Sequence, residues 1–163
     1  MTSLDDLFLD LLHEMHFAER QTVKMLAGMA RAAGNAELRE AFRRRSLDSS
    51  PQARLREVFR LIGQPARGES SEAILGLLQD CGDLLAEATG PDPIHDARLL
   101  ACGQALAHHQ ISRYGTLLAW AHALERADVA DLLRQTRDAE QQSDMALARL
   151  AAMTVNREAR AAA

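Results

Sequence analysis

Acidic side chains on the apolar faces of two predicted helices are the residues best suited to chemistry in this sequence. When each residue is placed 100° after the last, Glu19 falls within the apolar stripe of the first long helix. Glu140 falls within the stripe of the last helix, and Asp144 lies at its rim. A buried carboxylate is costly unless it is paired, protonated or metal-bound. The pattern predicts a metal site or an ion-paired polar core, although each acid alone also fits a solvated position.

Two uncharged polar residues share the apolar face of the third long helix. Gln110 and Tyr114 have the helical phase of Leu106 and Leu117. We therefore expect both side chains to belong to a polar core inside the bundle.

The histidines give weaker support for a metal site. Di-iron bundles use Glu-x-x-His, which places both ligands on one helix face, and no glutamate here precedes a histidine by three positions. The helical phase of His13 points away from the apolar stripe, and that of His16 lies at its edge. His108 and His109 are predicted to point away from the apolar face of their helix, towards solvent or an interface.

Gly, Pro and Asn residues divide the chain into four long helices and one short helix. Gly34 and Asn35 are expected to end the first helix and cap the second. Pro51 either kinks the second long helix or begins a new helix capped by Ser50. The predicted helices run from about Thr2 and Ser3 to Ala33, Ala36 to Ile62 with an interruption near Pro51, Ser71 to Ala88, Ile94 to Leu124, and Ala127 to Met153.

The composition favours an all-α domain. Ala, Leu, Arg, Glu and Gln dominate the 163 residues, aromatic residues make up only 4%, and no segment alternates in the manner of a strand. Residues 1–155 are predicted to form one helical-bundle domain, and residues 156–163 a frayed tail.

Charge and hydropathy argue against several classes of partner. The net charge is −4, and the one basic run, Arg43 to Arg45, has no aromatic platform for bases, so nucleic-acid binding is not expected. No apolar run of roughly 18 residues predicts a membrane span, and the first residues lack a signal-peptide pattern. Cys81 and Cys102 are isolated thiols, which suit a reducing cytosol and read as small buried hydrophobes. We expect a cytoplasmic protein.

Three groups of segments also carry a family resemblance. They are Asp5-Asp6-Leu7-Phe8 with Ala18-Glu19-Arg20-Gln21, then Arg113-Tyr114-Gly115-Thr116-Leu117, then Thr136-Arg137-Asp138-Ala139-Glu140 with Asp144. In order and spacing, along nearly the whole chain, they resemble the YciE/YciF family of bacterial stress-associated ferritin-like proteins. The resemblance implies a ferritin-like four-helix bundle with an additional short helix between the second and third long helices. It also implies a homodimer and a dinuclear metal centre.

The sequence departs from that family at the ligand positions. Glu19, Glu140 and Asp144 match family acids, but the family's Glu-His-Tyr-Glu segment is Ala107-His108-His109-Gln110 here, so both glutamates are missing. On the second helix the family glutamate falls on Asp48 or on Leu47, depending on a one-residue gap. Two divalent cations need about four acids. The resemblance therefore predicts a degenerate or lost metal site.

Arg45 offers the acids a different partner. If the second helix is regular, Arg45 follows Leu38 and Phe42 on its inner face. A guanidinium among Glu19 and Glu140 would supply the positive charge that iron or manganese otherwise supplies. The alternative is that Arg45 is one of three solvated arginines.

Three functions remain open at this point. The first is a non-enzymatic, stress-associated, YciF-like homodimer with no cofactor. The second is an active ferritin-like protein that binds iron or manganese at an incomplete site. The third is a helical interaction module that docks onto a protein partner of unknown identity, with the acids serving structure alone.

Overall fold

The protein, described over residues 3–162 by a computed structural model, is built from helices, with no strand in that range. The predicted start of the first helix at Thr2 lies outside the described residues. The helices are α1 (Leu4–Ala32), α2 (Ala36–Leu47), α3 (Ser50–Leu61), α4 (Glu72–Ala86), α5 (Pro93–Ala123), α6 (Ala127–Leu150), a π-helical turn (Ala151–Val155) and α7 (Asn156–Ala161).

Side-chain caps fix where three of the helices begin. The Ser3 hydroxyl accepts from the backbone N–H of Asp6 while the Asp6 carboxylate accepts from that of Ser3, which is a capping box. Asn35 caps α2, as predicted, by accepting from two backbone N–H groups. Asp92 caps α5 immediately before Pro93. These local bonds satisfy N–H groups that a helix leaves without a partner in its first turn.

Two helical hairpins form the bundle. α1 packs mainly against α2, and α5 mainly against α6, while α4 lies against both α1 and α5. The all-α bundle and the extra short helix are therefore confirmed. Burying a large apolar side chain stabilises the fold by roughly 1.5–3 kcal/mol. The largest buried side chains include Phe8, Leu12, Met15, Leu38, Phe42, Leu55, Phe59, Leu99, Leu106 and Tyr114.

The second long helix of the bundle is split rather than kinked. α2 ends at Leu47 and α3 begins at Ser50, with Pro51 in its first turn, where a missing N–H costs nothing. The predicted cap was Ser50, but Ser49 precedes α3 and forms no side-chain cap. The Asp48 carboxylate instead accepts from the backbone N–H of Ser50 at 2.9 Å.

The end of the chain differs from the predicted frayed tail. Asn156–Ala161 forms α7, in which Ala159 is buried, and Val155 in the π-helical turn before it is buried as well. The Asn35 side chain also donates to Glu158 at 2.9 Å. The apolar contacts and this hydrogen bond hold the segment against the bundle.

His13, whose helical phase points away from the apolar stripe of α1, is buried, with 9% of the residue exposed. Its ring stacks on Phe59 of α3 with a centroid separation of 5.6 Å, and His16 meets the edge of the same ring. Helical phase within α1 does not show which neighbouring element covers the face that carries His13, and here that element is α3.

No helix within residues 3–162 is long and apolar enough to cross a membrane.

Candidate functional site

Arg45 lies at the centre of a buried polar cluster inside the bundle. Its Nη2 and Nε atoms contact the two oxygens of Glu140, with Nε and Oε2 3.3 Å apart. Nη2 also lies 3.8 Å from Oε2 of Glu19. The exposed fraction is 12% for the Arg45 side chain, 1% for Glu19 and 2% for Glu140. One guanidinium thus contacts two buried carboxylates from two other helices.

Gln110 and Tyr114 complete the cluster from α5. The Tyr114 hydroxyl donates to Oε1 of Glu19 at 2.7 Å, and Arg45 Nη2 donates to Oε1 of Gln110 at 3.4 Å. Both side chains are fully buried. These five residues form the arginine–carboxylate cluster, and each of α1, α2, α5 and α6 contributes to it.

Burial controls the ionisation of the cluster. Loss of hydration raises the pKa of Glu19, and the same cause, with repulsion from Glu19, raises the pKa of Glu140 to about 7. Arg45 partly offsets both shifts. The pKa of Arg45 is raised, since the charges of Glu140 and Glu19 outweigh its own burial. Burial and the nearby Glu19 carboxylate raise the pKa of Tyr114.

The charges in the cluster do not balance when both acids are ionised. Glu19 and Glu140 then carry two negative charges against the single positive charge of Arg45. Three buried side-chain atoms of the cluster also lack a hydrogen-bond partner within residues 3–162, namely Oε2 of Glu19, Nη1 of Arg45 and Nε2 of Gln110. A polar network of this kind favours holding one proton on its carboxylates.

The other two acids of the predicted set form different contacts. Oδ2 of Asp144 lies 2.9 Å from Nε2 of His108, whose side chain is 67% exposed. Asp48 caps the start of α3 through Ser50. Although burial opposes the change, the hydrogen bonds from Ser50 and the charges of Arg45 and Arg54 lower the pKa of Asp48. Neither acid shares a hydrogen bond with Glu19 or Glu140.

The residues of the cluster do not fit a dinuclear metal centre. Within the described range, no group of three or more His, Cys, Asp or Glu side chains is arranged to hold a metal ion. Arg45 lies against the carboxylates that would be the metal ligands. Gln110 contributes a neutral amide, whereas two bridged cations need negatively charged carboxylate ligands. A cation placed there would meet the guanidinium at close range, which Coulomb repulsion opposes.

A groove of about 790 Å³ opens above the cluster, between α2, α5 and α6. Arg45, Gln110 and Glu140 line it, together with apolar residues that include Phe42, Leu106, Leu147 and Leu150. The cluster is therefore reached from solvent through largely apolar walls.

Sequence reasoning missed Asp96, which joins two distant parts of the chain. Its carboxylate accepts from the backbone N–H groups of Gly34 at 2.8 Å and Asn35 at 2.7 Å. This contact fixes the turn that leads into α2, and with it the helix that carries Arg45. The sequence around Asp96 contains no local signal for a partner about sixty positions away.

Comparison with known proteins agrees with this architecture. Residues 3–160 match the family described as a domain of unknown function, DUF892. The chain is 31% identical to Protein YciF of Escherichia coli strain K12 over 98% of this chain and 96% of that protein.

Two solved structures share the fold. The crystal structure of the E. coli stress protein YciF aligns with a TM-score of 0.89 and 30% identity, covering 96% of this chain and 99% of that chain. The structure of YcfI from Rhodopseudomonas palustris aligns with a TM-score of 0.84 and 31% identity, covering 90% and 93%. Since the family match spans nearly the whole described range, and YciF is similar over the same length, the chain belongs to the DUF892 family of YciF-like helical proteins.

Proposed function

We propose that this chain is a non-enzymatic, YciF-like bundle protein in which an arginine–carboxylate cluster occupies the position of a lost dinuclear metal site. The observation that carries the proposal is the contact of one buried guanidinium with Glu140 and its proximity to Glu19. A bidentate guanidinium supplies fixed positive charge and directed donors to carboxylates. The role of the cluster is then to hold four helices in register.

A stress-associated role is part of the same proposal. It rests on similarity to E. coli YciF, which is described as a stress protein. YcfI carries a description as a suspected structural protein, which agrees with a role that needs no catalysis.

Metal titration tests the proposal. The protein, purified without chelator and titrated anaerobically with Fe(II) and with Mn(II), is expected to show no stoichiometric binding by calorimetry or elemental analysis. In a separate assay in air-saturated buffer, where dioxygen is the oxidant, Fe(II) is expected to be oxidised no faster with the protein than without it. Binding of about two equivalents per chain, lost in Glu19→Ala and Glu140→Ala, would overturn the proposal in favour of an active iron- or manganese-binding protein.

A restoration variant sharpens this test. Arg45→Leu combined with Gln110→Glu removes the guanidinium and returns one acid, so this double variant is expected to gain affinity for Mn(II). Arg44→Leu with Gln110→Glu is the matched control, because Arg44 is 77% exposed and pairs with Glu40 on the surface. Equal affinity in the two double variants would show that Arg45 does not exclude the metal.

The groove favours a second candidate function, a module that docks onto a protein partner. Its walls are largely apolar, and Met153 in its lining is 67% exposed. Elsewhere on the surface, Leu47 is 68% exposed and Met145 is 55% exposed. Exposed apolar patches mark interaction sites. A partner that copurifies with the wild type but not with Met153→Glu would support docking at the groove, and equal recovery would exclude that surface.

We also propose that the protein is a cytoplasmic homodimer. Family resemblance supports the dimer, and the two free cysteines suit a reducing compartment. Light scattering is expected to give twice the chain mass of 17.9 kDa, and the monomer mass would contradict this.

A further inference from the structure

The groove above the arginine–carboxylate cluster has the size and the walls of a small-molecule site. Its volume of about 790 Å³ lies within the range of about 300–1,000 Å³ that is usual for such sites. It runs along α2 from Ala36 to Asp48, and α1, α5 and α6 supply facing side chains. At the rise of an α-helix, the groove follows α2 for about 18 Å. The apolar side chains that line it include Leu26, Phe42, Leu106, Leu147, Leu150 and Met153.

Three of the residues that line the groove carry a buried polar atom without a hydrogen-bond partner. Nε2 of Gln110, Oγ1 of Thr22 and Nη1 of Arg45 are shielded from solvent and have no partner within residues 3–162. Gln110 and Thr22 are each 1% exposed. Thr22 lies one helical turn after Glu19 on α1, so all three groups lie at the end of the groove that meets the cluster.

These three groups need a hydrogen-bond acceptor that carries no charge. The amide nitrogen of Gln110 and the guanidinium nitrogen of Arg45 can only donate, and the hydroxyl of Thr22 can also donate. A buried donor without an acceptor destabilises the structure, and a ligand that supplies an acceptor recovers part of that loss. An anionic ligand would add a third acid to two carboxylates that share one guanidinium. A cationic ammonium group has no acceptor to offer, and Arg45 repels it.

We propose that the groove binds an uncharged aliphatic molecule that ends in a carbonyl group. The carbonyl oxygen accepts hydrogen bonds from Gln110 and Thr22, whose side chains turn towards it, and the aliphatic chain lies along the apolar walls beside α2. This binding site goes beyond the structural role of the arginine–carboxylate cluster. It is independent of whether the cluster replaced a metal centre, because its ligand contacts the donors of the groove and not the two carboxylates.

Three probes of equal chain length test the choice of head group. At neutral pH, 2-nonanone carries an uncharged carbonyl, nonanoate is an anion and nonylamine is a cation. In calorimetric titrations of the full-length protein, 2-nonanone is expected to saturate a single site and to bind about tenfold more tightly than either charged probe. Tighter binding of a charged probe, or no binding of 2-nonanone up to its solubility limit, would overturn the proposal.

Variants of the two donors test how the carbonyl is held. Gln110→Met and Thr22→Val nearly keep the size of each side chain and remove its donor, so each is expected to weaken binding of 2-nonanone about five- to tenfold. Ser143→Ala is the matched control, because Ser143 also lines the groove but is only partly buried. The control is expected to change the affinity by less than about twofold. Equal losses in the three variants would contradict the role of the buried donors.

Filling the groove gives a test that leaves the donors in place. Ala146 lines the groove from α6 and is exposed, so Ala146→Trp adds bulk outside the core and is expected to abolish binding while the protein stays folded. A ¹³C label on the carbonyl carbon of 2-nonanone reports the hydrogen bond in the wild-type protein. Its NMR resonance is expected to move downfield on binding. Unchanged binding in Ala146→Trp, or a carbonyl resonance that does not move, would overturn the proposal.

Discussion

At the scale of single residues, three consecutive arginines have different roles. Arg43 and Arg44 are exposed and both pair with Glu40, which is itself on the surface. Arg45 turns inward to Glu140 because α2 presents that position to the bundle axis. Surface pairs such as those of Glu40 contribute little, about 0–1 kcal/mol, whereas breaking a buried pair costs about 3–5 kcal/mol. The fate of each arginine therefore follows from its helical phase.

The raised pKa of Glu140 predicts that the protein becomes more stable as the pH falls from about 8 to about 5. Its folded-state pKa of about 7 lies above its ordinary value of 4.5. The native state therefore binds the proton more tightly, so the free energy of unfolding rises as the pH falls through 7 and the gain is complete below 4.5. We expect a rise on the order of 2–3 kcal/mol.

Urea denaturation at a series of pH values measures this effect, with Glu140→Gln as the control. Gln has the same shape and does not titrate, so the variant is expected to lose most of this rise. The histidines and the acids outside the arginine–carboxylate cluster remain in both proteins and cancel in the comparison. Parallel pH profiles for the two proteins would contradict the assignment to Glu140.

At the scale of helices, α2 and α5 approach closely where Gly103 faces Phe42. A Cβ atom on Gly103 would lie 2.6 Å from Cε1 and 3.1 Å from Cζ of the Phe42 ring, which is 1% exposed. Glycine therefore permits the contact between these helices, and this contact also holds α2 in the position from which Arg45 reaches Glu140.

Gly103→Ala is expected to destabilise the protein by about 1–2 kcal/mol, because the ring has little room to move and overpacking outweighs the gain in helix propensity. Gly115→Ala on the same helix is the matched control. An added Cβ there meets no packing neighbour within 4 Å in the described part of the chain. The control is expected to gain up to about 1 kcal/mol. Chemical denaturation that gave both variants the same sign would disprove the close-approach argument.

At the scale of the whole molecule, one end of the bundle is held by contacts between distant segments. Asp96 at the start of α5 binds the turn between α1 and α2, and Asn35 in that turn donates to Glu158 of α7. Asp96 is buried, at 3% exposed, and its two hydrogen bonds are partly buried, whereas Glu158 is exposed. The inner contact is the one that fixes the relative positions of the helices.

Asp96→Ala is expected to lower the free energy of unfolding by about 2–4 kcal/mol, because two backbone N–H groups lose a charged acceptor. Glu158→Ala removes an exposed hydrogen bond in the same region and is expected to cost less than about 1 kcal/mol. Thermal or urea unfolding of the two variants measures the difference. Similar losses in both would mean that the Asp96 contacts are not the ones that hold this end together.

The sequence by itself determined the long helices, the Asn35 cap and the inward faces of Glu19 and Glu140. These features depend on residues that are only a few positions apart in the sequence. Asn35 caps the residues that follow it, and an apolar stripe repeats with the helical period. The resemblance to YciF-like proteins added the bundle topology. The helical phase of Arg45 also favoured an inward position, but the alternative of a solvated arginine remained open.

The tertiary structure decided which inward groups meet. The contact of Arg45 with Glu140 and the stacking of His13 on Phe59 each join residues on different helices. Helical phase gives the direction of a side chain relative to its own axis, but it does not fix how two axes are rotated and shifted against each other. That choice is made by the packed core as a whole, through contacts such as those of Asp96 and Gly103.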